Sequence, residues 1–312
     1  MVLGLVCASH APLFDFVHAP PEDEKEVRDA LRRAGEWVKA FDPDVVIHLF
    51  PDHYNGFFYD VMPSFCLGTE ARSLGDWGTK SGPIPVAEAE AEALFAYIRD
   101  ADIDIALSRR MTVDHGFMQI WDLMLDGPYS YPAIPIFVNC AARPLPAYKR
   151  VRLIGEAIGR YAMHNEKRIL LSGSGGLSHD PPIPTIETAP PERRELLIDG
   201  RRPSPELVEA RANAVLDAAQ EAAAGRGNRL PPDGDWDRRF LDLMIEGNTI
   251  ELDGWTDDEV IRVAGCGGSE VRTWLAAFAA LKTGGAYDVT VECHRVVPAW
   301  LTGMGIVRAH NV

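Results

Sequence analysis

The sequence has no CxxC pair, no long apolar run and no excess of basic charge. Its five cysteines (Cys7, Cys66, Cys140, Cys266 and Cys293) are odd in number and widely scattered, which argues against a disulfide framework and against a structural zinc knuckle. No stretch reaches the length of a transmembrane helix. The N-terminus, MVLGLVCASHAP, starts apolar but lacks a basic region, and it meets a His and a Pro too early for a secretory signal. These absences predict a cytoplasmic, reduced protein with no membrane partner. Lys and Arg number 31 against 46 Asp and Glu, a formal charge of −15. A field of that sign disfavours nucleic acid and anionic membrane surfaces. It leaves room for an anionic small substrate, because a local Arg or Lys can reverse the sign inside a pocket.

What is present is a globular composition, 46% hydrophobic and 25% charged over 312 residues. Short apolar runs at 2–9, 44–50 (DVVIHLF), 103–108, 133–138 and 168–172 read as strands. Residues 22–41, 85–100 and 145–163 carry apolar positions at helical spacing. Strands alternating with helices predict an α/β fold: a central, mostly parallel mixed sheet flanked by helices. After residue 180 the texture changes to Pro-, Arg- and Ala-rich stretches, which predict a helical insertion, a subdomain around 190–282 within a single catalytic domain spanning 1–312. Three helices are expected over 236–282, the last over 269–281, and a returning strand over 287–297.

Four of the nine histidines, His10, His53, His115 and His179, follow predicted strand ends, where open α/β sheets place their ligand crevice. Four imidazoles there could ligate a metal or move protons near neutral pH. Two His and one carboxylate, with open positions on one face, is the arrangement of non-haem Fe(II) oxygenases. Spacing does not choose the carboxylate: Asp52, Asp114 and Asp180 each neighbour a candidate His, and Glu270 opens a distant helix. Asp52 and Asp114 are equally suited to orienting an imidazole. His48 reads as a core residue inside a strand, His18, His164 and His310 as surface residues, and His294 carries little functional signal. The glycine run 173–176 fails the dinucleotide fingerprint at Ser178 and the nucleophile elbow at Ser172; Pro182 and Pro184 prevent an immediate helix. Its glycines read as room for backbone to approach a bound ligand.

The segments Ser9-His10-Ala11-Pro12, Pro51-Asp52-His53-Tyr54-Asn55-Gly56-Phe57-Phe58-Tyr59-Asp60, Asp114-His115-Gly116-Phe117 and Gly173-Ser174-Gly175-Gly176-Leu177-Ser178-His179 resemble the class III extradiol dioxygenases. The likeness runs over nearly the whole chain, and PDHYNGFFYD is its most specific part. It implies Fe(II) held by His10, His53 and Glu270, acid–base roles for His115 and His179, a catecholic substrate with O2, and a homo-oligomer. Relatives often place His directly before the metal-binding Glu, where this chain has Ser269. A zinc-dependent hydrolase and a non-enzymatic binding protein are the readings of other classes that the same scaffold would allow.

Overall fold

The computed structural model describes residues 3–125, 130–201 and 203–312; Val2, at the predicted start of the first strand, and Arg202, in the predicted insertion, lie outside them. In chain order the elements are β1 (Gly4–Ala8), α1 (Pro21–Phe41), β2 (Val45–Phe50), β3 (Phe65–Gly68), β4 (Ala71–Ser73), β5 (Gly82–Ile84) and α2 (Glu88–Asp100). Next come β6 (Ala106–Ser108), β7 (Met111–Val113), α3 (His115–Leu125), β8 (Ala133–Val138), α4 (Tyr148–Met163) and β9 (Ile169–Ser174). The remainder is α5 (Pro191–Asp199), α6 (Pro205–Ala223), α7 (Gly234–Ile245), α8 (Asp257–Ala264), α9 (Val271–Lys282), β10 (Tyr287–Val297) and β11 (Thr302–Asn311). Among the described residues no helix is long and apolar enough to cross a membrane.

An eight-stranded sheet in the order β10-β11-β1-β9-β2-β8-β3-β6 forms the centre. Its middle strands β1, β9, β2 and β8 run parallel, so their carboxyl ends lie along one edge. β11 pairs antiparallel with β1, and β3 with β8, which makes the sheet mixed as predicted. The middle strands are buried on both faces, as helix-covered parallel strands are, and largely apolar, with His48 of β2 and Ser172 and Ser174 of β9 as the polar exceptions.

The covering helices follow from their patterning. α1 buries Val27, Ala30, Leu31, Ala34 and Val38, the three-and-four spacing of one helical face, and its first turn carries Glu22, Asp23 and Glu24, which suit the positive end of the helix dipole. α9 is buried all round from Val271 to Leu281, between the sheet and α4. The stretch 190–282 therefore divides. α5 and α6 carry little buried apolar surface, whereas α9 belongs to the core of the main body.

Two features depart from the sequence reading. The strand predicted over 103–108 ends at β6 on the sheet's edge, and the chain then turns into β7 of a separate three-stranded sheet, β5-β4-β7. His115 is thus delivered by the small sheet and the first turn of α3, not by a strand of the main sheet. The second is β11, whose TGMGIVRAHN sequence hides its alternation behind Gly303 and Gly305.

Candidate metal centre

β1 leads directly to His10, β2 to His53 two residues past Pro51, and β9 through the glycine run to His179. Glu270 arrives from the other side, at the end of the short 3-10 turn Cys266–Glu270 that opens α9. These four meet. The Glu270 carboxylate lies 3.5 Å from His10 Nε2, 3.2 Å from His53 Nε2 and 3.4 Å from His179 Nε2. Two donors each held about 2.1 Å from one ion, at angles between 90° and tetrahedral, sit roughly 3.0–3.4 Å apart. The spacings of His10, His53 and His179 from Glu270 are all about that size.

Each imidazole is fixed from behind. His10 Nδ1 is 3.0 Å from Ser174 Oγ, and His53 Nδ1 is 3.0 Å from Asp114 Oδ2, so both Nε2 atoms face Glu270. Oriented imidazoles of this kind are the usual support of a metal ligand. Asp114 is wholly buried. Its Oδ2 also accepts from the His53 amide and from Asn55 Nδ2, and its Oδ1 from the Gly116 amide. Asp52 has a different task. It accepts from the amides of Asn55, Gly56 and Phe57 and so shapes the loop that carries His53. Asp180 likewise ties down the amides of Cys266 and Leu230. The three aspartates that the sequence left level with Glu270 are therefore structural or orienting groups. We expect Asp114→Asn to weaken metal binding by roughly 10- to 100-fold while the fold persists, measured as metal content after dialysis against graded chelator.

His115 flanks this set, and His179 completes it. His115 Nδ1 lies 2.5 Å from Asp76 Oδ2, and its ring stacks on His53 at 4.3 Å. His179 Nδ1 donates to the Leu177 carbonyl at 2.9 Å, which leaves Nε2 facing the centre. Gly176 and Gly267 make room for this ring: a Cβ on Gly267 would stand 2.1 Å from His179 Nε2, and one on Gly176 2.6 Å from its Cε1. Gly267→Ala should therefore displace His179 and depress turnover about as far as removing the imidazole does, at near-normal metal content; steady-state rates and metal analysis on one preparation check this.

Donor atoms of His10, His53 and His115 lie within 4.8 Å of one another, as do those of Asp76, Asp114 and His115. The second group is a poor cage, because Asp114 Oδ2 already accepts three hydrogen bonds and Asp76 Oδ2 is engaged by His115. Burial pushes His10 down to about 3 against the pull of Glu270, so this imidazole is neutral and free to ligate. Burial also opposes charge on His53 and His179, yet Asp114 and Glu270 hold His53 well above its ordinary value, and Glu270 raises His179. Burial would raise Glu270, but the surrounding imidazoles of His179, His10 and His53 hold it well below the carboxylate range. The pocket is built to keep positive charge beside a buried carboxylate, which suits a divalent cation.

A cavity of about 450 Å³ opens over His10, His53, His115 and His179, roofed by α5, α6 and the proline-rich segment after His179. Sequence reasoning missed Asp76 and Ser174. Asp76 sits in a loop with no spacing relation to any histidine; its neighbour Trp77 holds a left-handed φ of 49°, a backbone strain of the kind that clusters at functional sites. The motif aromatics Phe57, Phe58 and Tyr59 pack beside the site: Phe57 stacks on Phe137, and none of the three lines the cavity. His48 is buried with Nδ1 on Ser172 Oγ, His18 and His164 are exposed, and His310 is half-buried. Ser269 is fully buried and does not line the cavity.

Residues 4–304 match the family described as the catalytic LigB subunit of aromatic ring-opening dioxygenase. The chain belongs to this family. LigB-family relatives named 2,3-dihydroxyphenylpropionate/2,3-dihydroxicinnamic acid 1,2-dioxygenase share 45% identity in Paraburkholderia phymatum, 44% in a Rhodococcus species and 41% in Photorhabdus laumondii. Each alignment covers 99–100% of this chain and 98% of the relative. A solved structure, the uncharacterized protein JW3007 from Escherichia coli K12, superposes with a TM-score of 0.54 at 14% identity over 99% of both chains, a likeness of fold alone. The chain is thus an extradiol ring-cleaving dioxygenase of the LigB family, with a metal cofactor, a catecholic substrate and O2.

Proposed function

We propose that the chain opens the ring of 3-(2,3-dihydroxyphenyl)propionate next to its diol, giving 2-hydroxy-6-oxonona-2,4-dienedioate, with Fe(II) held by His10, His53 and Glu270. The observation that carries this reading is the meeting of one buried carboxylate with His10 and His53 at 3.2–3.5 Å, directly behind the point where these two imidazoles line the cavity. Two imidazoles and one carboxylate suit a ferrous ion with positions left open. Fe(II), when bound, supplies a shared coordination sphere for the diol and O2 and a path for electron density between them. The family name and the relatives' names support the substrate class.

The protein's own residues then handle position and protons. Both oxygen atoms of O2 enter the product, so the balance needs no reductant and no net water. Each proton that leaves the diol must be held and returned. His115 and His179 do this: each has Nδ1 occupied, by Asp76 and by the Leu177 carbonyl, and turns Nε2 toward the centre. Proline-rich residues 181–184 and the apolar inner face of α6 keep bulk water from the ring. The same reading takes the enzyme as a cytoplasmic homo-oligomer, on the strength of its whole-length likeness to the relatives.

The test is anaerobic reconstitution with Fe(II), then O2 uptake with a panel of substituted catechols. One O2 should be consumed per 3-(2,3-dihydroxyphenyl)propionate, with a yellow ring-opened product. No uptake with any catechol, or turnover of a substrate in the absence of O2 with Zn(II) in the site, would overturn the proposal.

A further inference from the structure

The roof of the cavity holds two arginines, Arg193 of α5 and Arg211 of α6, in a lining that is otherwise largely apolar. Among the described residues neither is in a salt bridge, and no hydrogen bond engages either guanidinium. The neighbouring arginines of the same segment are occupied: Arg201 pairs with Asp60 and Asp199, and Arg194 bonds the Ala189 carbonyl. Both line the same cavity, Arg211 is half-buried, and burial first and the charge of Arg193 second hold its guanidinium below the usual range. In a chain of net charge −15, two cations left adjacent and without an acid are unusual. Among the described residues that line the cavity the one carboxylate is Asp76, and His115 engages it. An anion entering between the two guanidiniums would relieve the repulsion and find up to two planar forks suited to a carboxylate.

We propose that Arg211, with Arg193 nearer the solvent, binds the side-chain carboxylate of the catechol and so selects substrates bearing an acid arm beside the diol. This rests on the ring-cleavage reading above, which sets the diol end at the histidine floor. The arm then points at the roof, and the two ends of the substrate are read by different elements: the diol by the strand ends and α9, the acid by α5 and α6. Because α5 and α6 lie outside the main core, the acid subsite can vary without disturbing the metal centre.

The test compares kcat/KM for 3-(2,3-dihydroxyphenyl)propionate with that for 3-propylcatechol, which keeps the diol and the apolar arm and lacks the acid. In Arg211→Met and in the Arg193→Met/Arg211→Met double variant, the acid-to-neutral ratio should fall by roughly 10- to 100-fold, mostly through KM for the acid. Arg211→Lys should recover part of the ratio, as a point charge without the fork. Calorimetric affinity for 3-phenylpropionate, which has no diol, should fall in parallel. A ratio and a phenylpropionate affinity both unchanged in the double variant would overturn the assignment while leaving ring cleavage intact. A wild-type enzyme that opens neither catechol would overturn the ring-cleavage reading, and this inference with it.

Discussion

Glu270→Gln is expected to yield a folded protein that holds little iron and opens no ring. The amide is isosteric, and its oxygen can still accept from the Gly176 amide, which bonds Glu270 Oε2 at 2.8 Å, so the turn Cys266–Glu270 keeps its anchor. What disappears is the one buried negative charge that three imidazoles face at 3.2–3.5 Å. Loss of affinity should exceed the roughly 10- to 100-fold that follows removal of a group merely orienting a ligand. Metal analysis after anaerobic loading, with circular dichroism to establish folding, checks both halves. Full iron occupancy in the variant would remove Glu270 from the ligand set. The same measurement on His53→Ala should also show iron loss, because His53 is the imidazole that Asp114 holds at hydrogen-bond distance with its Nε2 toward Glu270.

His115→Gln and His179→Gln should separate from Glu270→Gln by their metal content. With His10, His53 and Glu270 as the proposed ligands, each variant should leave iron near its normal level while turnover falls by roughly 10²- to 10⁴-fold, the usual range for a positioned acid or base. Near-normal rates in both variants would withdraw the proton-transfer roles. Loss of iron in His115→Gln would move that residue into the ligand set, a reading its closeness to His10 and His53 makes worth excluding.

The sequence made the sheet legible because DVVIHLF and its counterparts are short, apolar and β-branched, and because the residue after each of three such runs is a histidine loop. His10, His53 and His179 were found that way, and β1, β2 and β9 do bring their carboxyl ends to one edge. His115 follows a different route from the one its sequence context suggests: the strand before it belongs to the small sheet, and it reaches the centre through the first turn of α3. Periodicity could not find Glu270, because a Glu at a helix start has an ordinary explanation in the helix dipole. Only likeness to the family singled it out. Asp76 and the two cavity arginines carried no signal at all. Their positions depend on a left-handed turn at Trp77 and on how α5 and α6 fold over the site, which are tertiary facts with no period in the sequence.

The central claim is that one ferrous ion sits between His10, His53 and Glu270. Anomalous X-ray scattering at the iron edge, from crystals of the anaerobically loaded enzyme, tests it most directly. The account predicts a single peak within about 2.0–2.2 Å of His10 Nε2, His53 Nε2 and a Glu270 carboxylate oxygen, with His115 and His179 outside bonding distance. A peak among Asp76, Asp114 and His115, or none between the two imidazoles and Glu270, would contradict it.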